Sequence, residues 1–184
     1  MIALLVVLIL MGLVLFWALG AYNGFVRMRQ EVKSAWAQID VQLKRRHDLI
    51  PNLVEAVKGY LAHERQTLES VIKARSQAVD ASALKDKAQA ENMLTQTLRS
   101  LFAVVERYPD LKANQNMLSL QEELTSTENR ISFARQFYNE QVSRFNTAVE
   151  TIPANIVAGA GGFTKAEFFE IEDTAHRQAP SVKF

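Results

Sequence analysis

Three histidines, at positions 47, 63 and 176, are the first residues to test for chemistry. His63-Glu64 opens like the helical zinc-protease motif, in which two histidines one turn apart hold a metal and the glutamate serves as base. The position four residues after His63 is Thr67, so the second ligand is missing. His47 and His63 are 16 residues apart, which is roughly 24 Å along a helix and too far to share an ion. The chain has no cysteine, and no serine lies in a nucleophile-elbow pattern. The carboxylate pairs Glu122-Glu123 and Glu172-Asp173 lie in charge-rich stretches and read as solvated faces. Catalytic carboxylates need an environment that separates their pKa values, and a narrow bundle offers little room for one. Gly159-Ala160-Gly161-Gly162 follows a helix and lacks the Lys-Ser/Thr pair of a phosphate loop, so it reads as a hinge. These residues predict no catalytic centre, no metal site and no cofactor, and the expectation is a protein that is not an enzyme.

The densest basic run is Lys44-Arg45-Arg46-His47. Nucleic acid would want a wider basic surface, and the net charge is only +1, so nucleic acid is not an expected partner. On a straight helix Lys44 stands about 33 Å beyond Tyr22, far outside a Debye length of about 8 Å from any headgroup near Tyr22. Ion pairing inside the protein is the remaining role. Arg46 interrupts an otherwise apolar seven-residue series, Phe25, Val32, Ile39, Arg46, Leu53 and Tyr60. That register predicts a buried or half-buried pair, with Glu128 or Glu123 on another long helix as its partner.

What positions these residues begins with a gap in the charge. The chain carries 21 Lys+Arg and 20 Asp+Glu in 184 residues, and none of them precedes Arg27. Ile2 to Gly20 is continuously apolar or glycine, and its length of roughly 28 Å matches a hydrocarbon core of about 30 Å. Nothing basic precedes the run, so it reads as an anchor in preference to a cleaved signal. Trp17 and Tyr22 flank it as an aromatic belt, and Arg27 and Arg29 follow, with Lys33, as orienting charges. The positive-inside rule puts the C-terminal side in the cytoplasm, with the short N-terminus outside.

Beyond the anchor no convincing strand stands out, and seven-residue spacing dominates. Trp36, Leu43, Ile50 and Val57 recur every seven, as do Met117, Leu124, Ile131, Tyr138, Phe145 and Ile152. The expected elements are an anchor helix continuing to about Arg46, and a restart near Pro51 that runs to about Ala78. A polar loop follows over Val79 to Lys87, then a helix from Ala88 to Arg107. One helix covers Ala113 to Thr151, and a short one Lys165 to Ala175. A long helix with one apolar stripe must bury it. The fold class expected is therefore all-α: a single N-terminal transmembrane helix continuing into an elongated antiparallel bundle of the four-helix type. The division is 1–24 for the anchor, 25–155 for the bundle, and 156–184 for the glycine hinge, short helix and tail. Phe163, Phe168, Phe169 and Phe184 make the last segment aromatic. It can dock on its own bundle, on a neighbouring subunit or into a membrane, and reaching a neighbour would make it an assembly segment.

Several runs carry a resemblance. They are Ala35–Tyr60, AWAQIDVQLKRRHDLIPNLVEAVKGY, continuing through Ala62-His63-Glu64, then Tyr108–Lys112, YPDLK, and Leu120–Asn146, LQEELTSTENRISFARQFYNEQVSRFN. With Pro153 and Phe168-Phe169, these resemble the LemA family of bacterial membrane proteins over nearly the whole chain from about Tyr22. The resemblance implies a single span, a helical bundle and no established catalytic reaction. It implies a scaffold that self-assembles as a homo-oligomer and organises or shapes the lipid bilayer. Its alternative is an adaptor for a membrane protease or an envelope-stress sensor.

Overall fold

The helix that starts in the apolar segment does not stop at Pro51. The computed structural model describes residues 1–61 and 64–170, and every regular element among them is an α-helix. The first, α1, runs unbroken over Ile2–Lys58 with Pro51 inside it. The expected restart near Pro51 is therefore corrected. Proline withdraws the hydrogen bond to the carbonyl four residues back, which here belongs to His47. Arg75 replaces the missing donor: its Nε–H reaches the His47 carbonyl at 2.7 Å. The heptad register crosses the proline intact, with Leu43, Ile50 and Val57 all buried and Pro51 itself facing out. The chain breaks instead at Gly59-Tyr60, a turn closed by Leu61 N–H on the Val57 carbonyl at 2.9 Å.

Five further helices follow among the described residues: α2 (Arg65–Asp80), α3 (Leu84–Val105), α4 (Pro109–Lys112), α5 (Gln115–Glu150) and α6 (Ala154–Ala160). The polar stretch expected as a loop over 79–87 is mostly helical, and only 81–83 separate α2 from α3. So short a connection folds the two into an antiparallel pair. Pro109 opens α4 in its first turn, where its missing N–H has no partner to lose. Asn114 caps α5, its Oδ1 accepting from the Asn116 and Met117 amides at 2.9 and 3.3 Å.

These helices form two compact units. The first comprises 1–41 and 131–168. Its core is a double stripe: Phe25, Val32, Ala35 and Ile39 of α1 with Ile131, Tyr138, Val142 and Phe145 of α5. Trp36 meets Tyr138 edge to face, ring centroids 5.6 Å apart. The second unit comprises, among the described residues, 42–61, 64–130 and 169–170. Its apolar core draws on the end of α1, α2, α3, α4 and the start of α5, from Ile50 and Leu53 through Val71, Leu94 and Leu101 to Leu111, Met117 and Leu124.

The helix expected from Lys165 is absent over its described part, since 163–170 are irregular. Its remainder lies outside the described residues. The backbone there is already engaged. Asn146 of α5 donates from Nδ2 to the Ala166 carbonyl at 2.9 Å and accepts the Ala166 N–H on Oδ1 at 2.8 Å. The Tyr138 hydroxyl donates to the Glu167 carbonyl at 2.9 Å. Side chains of α5 thus take the groups a helix would have used.

The Arg75 replacement predicts a coupled pair of effects. Arg75→Met strands the His47 carbonyl and should cost about 1–3 kcal/mol. In a Pro51→Ala background the helix supplies its own donor again, so the same change should cost measurably less. Chemical denaturation of the four proteins of the cycle, in one detergent, checks this.

Candidate functional site

The basic run splits once it is folded. Lys44 and Arg45 are exposed, whereas Arg46 and His47 turn inward. Arg46 is only 1% exposed and is the bulkiest of the fully buried side chains. Its guanidinium forks between two carboxylates, with Nη2 on Glu91 Oε2 and Nη1 on Glu128 Oε2. Nη1 also donates to Thr95 Oγ1 at 2.9 Å, and Thr95 Oγ1 lies 3.3 Å from Glu128 Oε1. His47 Nε2 stands 2.9 Å from the other Glu91 oxygen, Oε1. Glu91 is completely buried, while the Glu128 side chain is 40% exposed. A cavity of about 190 Å³ opens beside the pair, lined by Arg46, Glu128, Leu98, Phe102 and Leu124 among others.

Burial by itself pushes the Glu91 carboxyl up, because a low-dielectric site disfavours charge. Against that act the His47 hydrogen bond, the charges of Arg46 and His47, and the Arg46 hydrogen bond. Together they hold Glu91 below its ordinary value. The ionised carboxylate is favoured, with Oε2 on Arg46 and Oε1 facing His47 Nε2. This is a structural ion-pair network that locks α1, α3 and α5 in one register. Sequence reasoning named Arg46 and Glu128 but missed Glu91 and His47. Glu123, the other carboxylate considered, is exposed. The signal for Glu91 was present: it sits three residues after buried Ala88 and three before buried Leu94, on the inward face of α3. Among the described residues no group of three potential metal ligands converges. His63, His176, Phe184 and the Glu172-Asp173 pair lie outside those residues.

A second cluster belongs to the first unit. Phe163 is 5% exposed. Its ring stacks on Phe25 at 5.2 Å and meets Tyr22 edge-on at 5.4 Å. Phe145 closes a third side at 6.5 Å, and the Arg29 guanidinium lies 5.1 Å over the ring. The glycines expected as a hinge make this closure possible. Gly162 has φ +69°, and the Phe163 N–H reaches the Ala158 carbonyl at 2.9 Å, which is the Schellman ending of α6. A Cβ on Gly161 would lie 2.7 Å from the Phe163 ring and 3.2 Å from that of Tyr22. Of the other predicted aromatics, Phe169 is buried and Phe168 is 42% exposed. Burial raises the Tyr138 hydroxyl above its usual range, helped by the Glu167 charge.

The anchor residues present themselves to the surroundings. Trp17 and Tyr22 are each 43% exposed, and Arg27 and Arg29 are exposed. No part of the most apolar 18-residue window of α1 is buried within the chain, and α1 is long and apolar enough to cross a membrane. That combination points to a membrane location.

Comparison with known proteins gives a consistent result. A family model described as the LemA family matches residues 35–184. Magnetosome protein MamQ 2 of Paramagnetospirillum magneticum is 27% identical over 175 aligned residues, covering 81% of this chain and 64% of the relative. Magnetosome protein MamQ of Magnetospirillum gryphiswaldense is 24% identical, with 80% and 64% covered. Protein LemA of Metamycoplasma hominis is 26% identical over 148 residues, with 80% and 68% covered. The chain thus spans about 64% of the length of the magnetosome relatives it matches.

Proposed function

The chain belongs to the LemA family, and from that premise we propose that it is a non-enzymatic membrane scaffold that self-assembles and organises or shapes a bacterial membrane. The observation that carries this reading is α1. Its apolar segment and the first buried stripe belong to one helix and one compact unit, with Phe25 buried only three residues after Tyr22. No flexible linker separates lipid contact from protein packing, so the first unit is held at a fixed attitude to the bilayer. A scaffold needs that stiffness; a tethered catalytic domain does not. The membrane meant is the bacterial inner membrane, with the helices beyond Tyr22 in the cytoplasm, as Arg27, Arg29 and Lys33 favour.

Self-assembly draws on surplus apolar surface. Phe133 and Phe137 are 71% and 43% exposed and lie one turn apart on α5. Aromatic pairs of this kind anchor protein interfaces. The expected result is a large, defined homo-oligomer when the full chain is purified alone in mild detergent and imaged. Phe133→Ser with Phe137→Ser should reduce the particle to a smaller species, read by light scattering. A monomer that instead co-purifies with a membrane protease would overturn the scaffold in favour of an adaptor.

A further inference from the structure

Between Glu150 and Lys165 the chain carries no charged residue. This stretch begins where α5 ends and holds all of α6 and the glycine turn. Its inner side is accounted for by Ala158 and Phe163, both buried. Its outer side is not: Ile152 is 79% and Ile156 is 71% exposed. These two exposed isoleucines in an uncharged stretch form an apolar patch left uncovered among the described residues.

The position of this patch identifies what covers it. Phe163, three residues after the end of α6, packs on both Tyr22 and Phe25. Gly161 lies against the Tyr22 ring. A hydrocarbon core takes up about 20 residues of helix, so with Ile2 at one boundary the other falls next to Tyr22. The α6 turn is therefore fixed beside the point where α1 leaves the lipid, and the charges that bound the stretch in sequence, Glu150 and Lys165, pair with each other, while Arg29 lies over the Phe163 ring.

We propose that 152–160 form a second membrane-contact element. Ile152 and Ile156 enter the headgroup and upper acyl region of the same bilayer that α1 spans, beside the anchor. The Schellman turn and the Phe163 cluster hold α6 at that depth. The consequence is a wedge: the unit displaces lipid in one leaflet next to its span, which is an asymmetric way to bend a membrane. The wedge rests on the reading of α1 as a membrane span, and the test separates the two.

The chain has no cysteine, so single probes can be placed cleanly. Leu10→Cys, Ile156→Cys and Ala37→Cys, each labelled with a polarity-sensitive fluorophore, are compared in phosphatidylcholine–phosphatidylglycerol vesicles containing full-length protein. Ile156 and Ala37 are both exposed, so these substitutions spare the core, and circular dichroism confirms the fold of each. Ala37 stands about 22 Å beyond Tyr22 along α1. The expected result is a blue-shifted Ile156 probe quenched most by lipids with a nitroxide near the headgroup. The Leu10 probe should be quenched by deep nitroxides and the Ala37 probe by neither. If the Ile156 probe behaves like that at Ala37, the wedge is wrong while the span stands. If it is blue-shifted but insensitive to lipid nitroxides, protein covers the patch and the wedge is equally wrong. If the Leu10 probe is not quenched, both readings fail.

Discussion

Arg46→Ala is expected to destabilise the protein by about 3–5 kcal/mol, the range for removing one partner of a buried ion pair. Glu91 is completely buried, and its carboxylate would keep only His47 as a close polar neighbour. Glu128→Ala should cost far less, about 1 kcal/mol or below, because its side chain is 40% exposed and water can replace it. Replacing the network as a whole gives a third outcome. Arg46→Met with Glu91→Leu removes both charges together and should be near neutral or stabilising. Denaturation of the three variants in one detergent distinguishes a network that adds stability from one that enforces register. If Arg46→Ala and Glu128→Ala cost the same, the burial argument is wrong.

The same network sets a response to acid. Glu91 is held below its ordinary value in the folded protein, chiefly against the burial that would raise it, by His47 and Arg46. A depressed carboxylate contributes stability above its unfolded pKa of about 4.3, and that contribution is lost as pH falls through the folded value. The wild type should therefore lose this contribution at pH values below the ordinary glutamate range. In Arg46→Ala the burial effect is opposed only by His47, so the acid loss due to Glu91 should shrink or reverse sign. Stability measured against pH, from neutral down to about pH 3, compares the two proteins over the window in which the linkage operates.

Arg46 was legible because it broke an apolar register: six positions at seven-residue spacing, five of them apolar or aromatic, place the sixth on the buried side. Glu91 was not, although the same logic applies, because α3 carries only short apolar spacing near Lys85, Asp86 and Lys87. Those charges made its first turns look like loop. Pro51 shows the opposite error. Proline is a local stop signal, while the heptad phase on either side of it is a longer one. The longer signal prevailed because a side chain 24 residues further on, Arg75, mends the local defect, and no local rule contains that partner. The all-α class and the continuous passage from anchor to stripe were readable from periodicity alone. The irregular strap over 163–168 was not, since its conformation is dictated by Asn146 and Tyr138, which are remote in sequence.

That strap carries the second large effect. Phe163→Ala should cost about 3–5 kcal/mol, the range for truncating a buried phenylalanine. The ring is enclosed by Phe25, Tyr22 and Phe145 and capped by Arg29, so contacts on several sides are lost at once and a cavity remains. Aromatic pairs and the cation over the ring each add about 0.5–1.5 kcal/mol to simple area burial. Asn146→Ala removes two hydrogen bonds to Ala166 but leaves the ring seated, so it should cost less, about 1–3 kcal/mol. Proteolysis separates global loss from local release. Lys165 has an exposed side chain, but the adjoining Ala166 peptide is clamped by Asn146, so a protease must first open the strap. Trypsin should therefore cut after Lys165 faster in both variants under native conditions. A Phe163→Leu protein, which keeps an apolar side chain in the pocket, should recover most of the protection. If Phe163→Ala left the Lys165 cleavage rate unchanged, the aromatic cluster would not be what holds the strap. The membrane wedge would then lose the contact that fixes its depth beside Tyr22.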